Sequence, residues 1–289
     1  MTTNRMIVEE RQRDIGQFLV GRLLPFRKKR QVGPFTFIDH MGPVSLGPER
    51  YFDIDQHPHI GLSTLTYLLE GYIEHRDSTG AVQIISPGDV GFMTAGRGVT
   101  HTERTPAGLR DGQTVSMHGY QIWVAMPRDL EQMEPRFDFV PSAALPEWKE
   151  QGIRYRLVAG TAMGHTSPLP VHSPLYMLDL DMEASSELDL GGKLPGEFAL
   201  VVVSGAVHEA GETIAAGSMM VAKSRLTCRM ACETGTRLLI FGGEPFPEER
   251  YLYWNFVSSS KETIEDAKKR WAGKAFPQVP GDDSYIPLP

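Results

Sequence analysis

Apolar residues in this chain come in short runs, and nearly every run is closed by Gly, Pro, Asp or Ser. "FTFIDHMGP" (35–43), "LSTLTYLLEG" (62–71), "AVQIISPGDV" (81–90) and "HGYQIWVAMP" (118–127) each hold about one strand's worth of chain. The 29 Gly and 21 Pro are scattered throughout, which favours many turns and short strands over long helices. In "GYIEHRDSTGAVQIISPGDV" the loop "DSTG" joins two strands as a hairpin. A chain of 289 residues with 41% hydrophobic content can build a packed core, either as two domains or as one large all-β unit.

A repeat favours two domains. With Gly71 laid on Gly205, "LTYLLEGYIEH" matches "ALVVVSGAVHE" in residue type. A small-residue turn follows each, "SPGDV" in the first copy and "AAGSM" in the second. A period of about 130 residues is far too long for a solenoid and suits two β-barrels in tandem. "PRDLEQMEPRFDFVPSAALPEW" (127–148) is charged and proline-rich and reads as a surface linker. The expected order is a barrel over 1–130, a linker over 131–150, a second barrel over 151–257, and a helix with an extended tail over 258–289. That helix is announced by Ser259 with Glu262 as a capping box, by Lys268, Lys269 and Arg270 in the last turn, and by Gly273 as a stop. Ile264, Ala267, Lys268 and Trp271 share the face that would dock, and the tail "PQVPGDDSYIPLP" is expected to run along the surface.

Several function classes are disfavoured. A net charge of −7 argues against a surface built to neutralise nucleic-acid phosphates, and "RKKRQ" (27–31) reads as a solvated loop. Cys228 and Cys232 are the only cysteines, too few for a disulfide framework or a zinc pair, and are expected as reduced thiols. The polar N-terminus has no apolar signal segment, and no run approaches the length of a membrane span. Nucleotide-binding patterns such as GxGxxG and the P-loop are absent. The expectation is a cytoplasmic protein, with a monomer consistent with barrels that bury their own edges.

"FDIDQHPHIG" places His57 and His59 two apart at the start of a strand, and "GRGVTHTERT" does the same with His101 and Glu103. Residues two apart on a strand share a face. Two such pairs, facing each other across a barrel, would bring three imidazoles and a carboxylate to one point. That set suits iron, nickel, copper, manganese or zinc and leaves positions open for catalysis. It contains no thiolate, which counts against a structural zinc site. Other polar candidates carry blander readings: His40 and His118 as strand-end histidines, His75 as a hairpin residue, and Arg76 with Asp77 as an ion pair. Phe52, Phe92, Met93 and Gln121 could line a cavity or simply fill a core.

"HPHIGLSTLTYLLEGYIEHRDSTG", "ISPGDVGFMTAGRGVTHTE" and "HGYQIWVAMP" closely resemble the pirin family of the cupin superfamily, and the similarity runs from about residue 15 to the C-terminus. The resemblance implies two cupin (jelly-roll) barrels with a mononuclear iron, Fe(II), in the first. The family's ligands map onto His57, His59, His101 and Glu103 without departure. Carried across the repeat without gaps, those positions fall on Gly191, Lys193, Met230 and Cys232, so the second barrel is expected to hold no metal. His208 stands there without a partnering cluster.

The family likeness further implies a quercetin 2,3-dioxygenase-type reaction, in which O2 opens a flavonol or another small aromatic substrate and Glu103 takes up the hydroxyl proton. It also implies an alternative, a redox-sensing regulator that acts through protein partners.

Overall fold

The computed structural model describes residues 5–15, 18–47, 50–112, 114–222 and 229–289; Cys228 lies outside the described residues. Strands dominate, and the one α-helix among the described residues is Lys261–Ala272. Contacts divide the chain into two compact units. One, the N-terminal barrel, comprises Gln12–Val20, Ile38–Ser142 and Pro247–Pro289. The other, the C-terminal barrel, comprises Met1–Arg11, Gly21–Phe37 and Ala143–Phe246.

This division departs from a linear one at both ends and in the middle. Strand Arg5–Glu9 pairs with Ser218–Ala222 and so belongs to the C-terminal barrel. Residues 247–289 belong to the N-terminal barrel. The stretch expected as a linker contains two strands, Arg136–Val140 against Val90–Thr94 and Glu147–Glu150 against Ile153–Ala162. The alternation of "RFDFV" was the signal for the first of these, and the surrounding prolines masked it.

The N-terminal barrel is made of two sheets. The smaller has the order Asp53–His59, Val99–Arg104, Ile73–Asp77, Val82–Ile85. The larger contains Arg136–Val140, Val90–Thr94, Leu62–Glu70, Val115–Ala125 and Phe35–Leu46, in that order. Met41, Phe52, Leu68, Ile73, Ile85 and Met117 fill one end of the interior. Phe52 is thereby assigned to packing, edge-on to Phe18 at 5.5 Å.

The C-terminal barrel repeats the smaller sheet strand for strand: Ser186–Asp189, Arg229–Cys232, Ala206–Glu209, Glu212–Ala215. The repeat seen in the sequence is therefore a repeat of strand order. Its anchors have a backbone reason: Gly71 and Gly205 hold φ of +83° and +72°, a region that favours glycine. A Cβ on Gly71 would stand 2.1 Å from the Ser116 carbonyl oxygen, so only glycine fits that corner.

The helix begins one residue later than the sequence suggested. Ser260 is the N-cap, accepting from the Thr263 amide at 3.3 Å, while Ser259 donates its amide to Glu131 at 2.8 Å. Gly273 ends the helix as expected. Ile264, Ala267 and Trp271 are buried, whereas Lys268 turns outward to Glu265. The tail then packs back. Trp271 donates from Nε1 to the Ile286 carbonyl at 2.9 Å and stacks on Tyr285. Because Trp271 is fully buried and joins helix to tail, Trp271→Ala is expected to cost about 3–5 kcal/mol, read as a lower urea midpoint.

Candidate metal centre

Strands Asp53–His59 and Val99–Arg104 are antiparallel neighbours, and their register sets His57 directly opposite His101. The two histidine-bearing segments thus meet side by side in one sheet and not across the barrel. Opposed residues on adjacent strands have Cβ atoms about 5 Å apart, close enough for a shared ligand. The His57 and His101 rings lie 4.3 Å apart between centroids, and His59 Nε2 stands 3.1 Å from His101 Nε2. Donor atoms of His57, His59 and His101 all fall within 4.8 Å of one another, and all three residues are buried. Among the described residues this is the one such group of three or more.

The opposite face of the same strands is sealed by the C-terminal tail. Gln56 donates through Nε2 to Gln278 at 2.9 Å and to the Ser284 carbonyl at 3.0 Å, and its own carbonyl accepts from the Ile286 amide at 3.0 Å. Thr100 donates to the Pro277 carbonyl, and Arg104 pairs with Asp282 at 2.6 Å and Asp55 at 2.9 Å. The tail holds no donor of the triad. It covers the strands that carry it, more than the surface role expected.

Burial decides the charge of the histidines. Desolvation lowers His57 to about 4, despite the hydrogen bond to the Asp55 carbonyl. Desolvation, with repulsion among the imidazoles, holds His59 and His101 well below their ordinary value. All three are neutral at pH 7, the form that binds metal. His57 faces the Asp55 carbonyl at 2.8 Å through Nδ1, which places the proton there and leaves Nε2 free.

Glu103 is buried nearby, beyond a register shift that separates it from His101 along the Asp53–His59 side. Its Oε1 accepts from Gln121 Nε2 at 2.7 Å and from Thr66 Oγ1 at 3.3 Å. The triad forms a tight donor group by itself; Glu103 is not within it. Burial raises the Glu103 pKa, and His75, Gln121 and Thr66 offset part of that rise.

The remaining candidates sort clearly. Gln121 reaches the site through Glu103, whereas Phe92 and Met93 are buried strand residues. His40 and His118 pair with each other, Nε2 to Nε2 at 2.9 Å, and neither joins the triad. Arg76 pairs with Glu74 at 2.7 Å and not with Asp77, because adjacent strand residues point to opposite faces. Sequence reasoning missed Trp123, edge-on to His59 at 5.2 Å, and Thr66. It also gave His75 only a hairpin role. The signal was there: "HRD" puts His75 and Asp77 on one face, just as "HPH" does for the triad. Burial holds back ionisation of Asp77, yet hydrogen bonds from His75 and Thr79 outweigh it and keep the carboxyl below its ordinary range.

The C-terminal barrel shows what the same framework looks like without polar ligands. In its smaller sheet Leu188 pairs with Met230, both buried apolar residues. Leu188 lies on the strand that takes the place of Asp53–His59 in this sheet, and Leu190 follows it directly. Leu188, Leu190, Met230 and Cys232 sit in one apolar core, and burial pushes the Cys232 thiol up to about 11.

Three buried neutral imidazoles, with a carboxylate close by and no thiolate, fit a divalent transition metal of intermediate softness. His57, His59 and His101 could hold it. Fold and site together define a two-barrel cupin with a histidine triad in one barrel.

Comparison with known proteins agrees. The Pirin family description matches residues 17–124, and the Pirin C-terminal cupin domain matches residues 177–277. The chain belongs to the pirin family. It is 43% identical to a pirin-like protein of Caulobacter vibrioides, over 98% of this chain and 99% of that one. A Pseudomonas aeruginosa protein, provisionally named a quercetin 2,3-dioxygenase, is 37% identical over 89% of this chain and 79% of its own. The crystal structure of quercetin 2,3-dioxygenase from Acinetobacter baumannii superposes with a TM-score of 0.90 at 32% identity, covering 99% of this chain and 95% of that one.

Two predictions follow from the site. Metal content should approach one equivalent per chain and vanish in His101→Ala, as elemental analysis would read. The second concerns acid. The folded imidazole pKa values lie below the ordinary 6.5, so the unfolded chain takes up protons first as pH falls. Stability of the metal-free protein should therefore drop between pH 6.5 and about 4, with His57 alone contributing about 2 kcal/mol of loss from pH 7 to pH 5. Urea titrations at the two pH values test this, and an unchanged midpoint would contradict it.

Proposed function

We propose that this pirin-family protein is a metal-dependent dioxygenase that uses Fe(II) and O2 to open flavonols such as quercetin or related small aromatic enediols. The observation that carries the reading is the buried neutral triad beside a carboxylate whose pKa is raised. The similarity to the Acinetobacter baumannii quercetin 2,3-dioxygenase supports it. In this reading His57, His59, His101 and Glu103 hold the metal. When bound, the metal would supply a Lewis-acidic and redox-active centre for the substrate oxygen and O2.

The chain's own residues do the rest. Burial disfavours the charged form of Glu103, which makes its carboxylate a stronger base than a solvated one. Gln121 and Thr66 both donate to Oε1 and so fix the orientation of the carboxyl. That placement suits Glu103 to accept the proton of an incoming hydroxyl. Trp123, against His59, adds an apolar wall that helps to exclude water.

Iron-loaded protein is expected to consume O2 with quercetin in an oxygen electrode. Activity should disappear in His101→Ala, and kcat should fall about 100- to 10,000-fold in Glu103→Gln. Tight iron binding with no oxygen uptake across a panel of flavonols and catechols would sink the enzymatic reading and leave the regulator.

A further inference from the structure

We infer that Asp77 and His75 are positioning residues for the metal ligand His101, forming a carboxylate–imidazole–imidazole chain that fixes which nitrogen His101 offers to the metal. The inference deepens the metal reading above and rests on it.

Strand Ile73–Asp77 is the other neighbour of Val99–Arg104, with Asp77 opposite His101 and His75 opposite Glu103. His75 Nε2 lies 2.9 Å from Asp77 Oδ2, and His75 Nδ1 lies 3.4 Å from His101 Nδ1. One proton arrangement satisfies the whole chain. The carboxylate only accepts, so His75 donates from Nε2. The neutral ring then presents a lone pair at Nδ1, which accepts from His101 Nδ1–H. His101 is left with its lone pair at Nε2, the nitrogen 3.1 Å from His59 Nε2. In the opposite tautomer, a lone pair on His75 would face the carboxylate.

The chain is held at its far end and along its side. Asp77 Oδ1 accepts from the Thr79 amide at 2.8 Å, the Thr79 hydroxyl at 2.6 Å and the Ala81 amide at 3.3 Å. His75 stacks on Phe137 with centroids 4.2 Å apart and planes inclined by 17°. Both His75 and Asp77 are buried. The hairpin turn is served by Oδ1 alone, in an Asx-type arrangement. Oδ2 is given to His75, whose other ring nitrogen faces His101. Burying a carboxylate costs free energy unless its partners are well placed, and here one of those partners leads to the metal site. Outer partners of this kind orient ligating histidines and raise their basicity. His57 has a weaker version in the Asp55 carbonyl.

The test uses the full-length chain with Co(II) as probe, by chelator competition and by ligand-field absorption. Thermal midpoint and far-UV circular dichroism are recorded alongside. His75→Phe, which keeps a ring to stack on Phe137, and Asp77→Asn are expected to weaken Co(II) binding about 10- to 100-fold and to shift the absorption bands. His75→Gln, which keeps an acceptor and a donor, is expected to recover most of the affinity. Should His75→Phe fail to fold, Asp77→Asn carries the comparison. Folded variants with unchanged affinity and unchanged bands would confine His75 to the hairpin and overturn the inference. Wild-type protein that takes up no Co(II), or His101→Ala that binds it as tightly as wild type, would overturn the metal reading itself and the inference with it.

Discussion

The pairing of Asp53–His59 with Val99–Arg104 is the constraint on which the site depends. His57 meets His101 because they are opposed residues of one antiparallel ladder. The triad is thus fixed by backbone hydrogen bonds, and a slip of one residue would turn the histidines of the slipped strand to the other face. The same ladder has Ile73–Asp77 on its other side, and from there His75 and Asp77 reach the back of His101. Three strands of one small sheet supply the triad, Glu103 and the outer His75–Asp77 pair.

A polar interior of this kind is expensive, and the surrounding structure reflects that. The imidazoles are kept neutral by burial, and Glu103 is bonded to Gln121 and Thr66. On the opposite face, Gln56 and Thr100 are fully buried polar residues, and the C-terminal tail satisfies them. Helix and tail therefore belong to the triad-bearing barrel in a physical sense, although about 120 residues of chain separate them from it. The C-terminal barrel solves the same topological problem with Leu188, Leu190, Met230 and Cys232. Apolar filling needs no such network. This contrast explains how one fold can enclose a histidine triad in one copy and a packed apolar core in the other.

Much of the site was legible because strands have a period of two. "HPH" and "HTE" gave same-face pairs, and that part of the reading needed no tertiary information. "HRD" carried the same signal, but its glycine-rich turn drew the explanation toward the hairpin. Asp77 in fact does both jobs, one with each carboxylate oxygen. The repeat was legible from the Gly71 and Gly205 corners, whose positive φ ties residue type to backbone shape. The strand order that the two copies share was not, since it depends on pairings between segments far apart in the chain.

Local residue pattern by itself determined the all-β class, the two-fold repeat, the C-terminal helix with its Gly273 stop, and the four candidate ligands. These rest on short-range rules: side-chain alternation, turn chemistry and capping. Tertiary structure alone decided that the two histidine-bearing segments are neighbours in a sheet, that the terminal segments are shared between barrels, and that apolar residues such as Leu188 and Met230 fill the second barrel. It also decided that Ser260 caps the helix, because Glu131 takes the Ser259 amide. Each of these depends on which strand lies beside which, and strand neighbourhood is set by contacts between residues far apart in the chain, which no local pattern encodes.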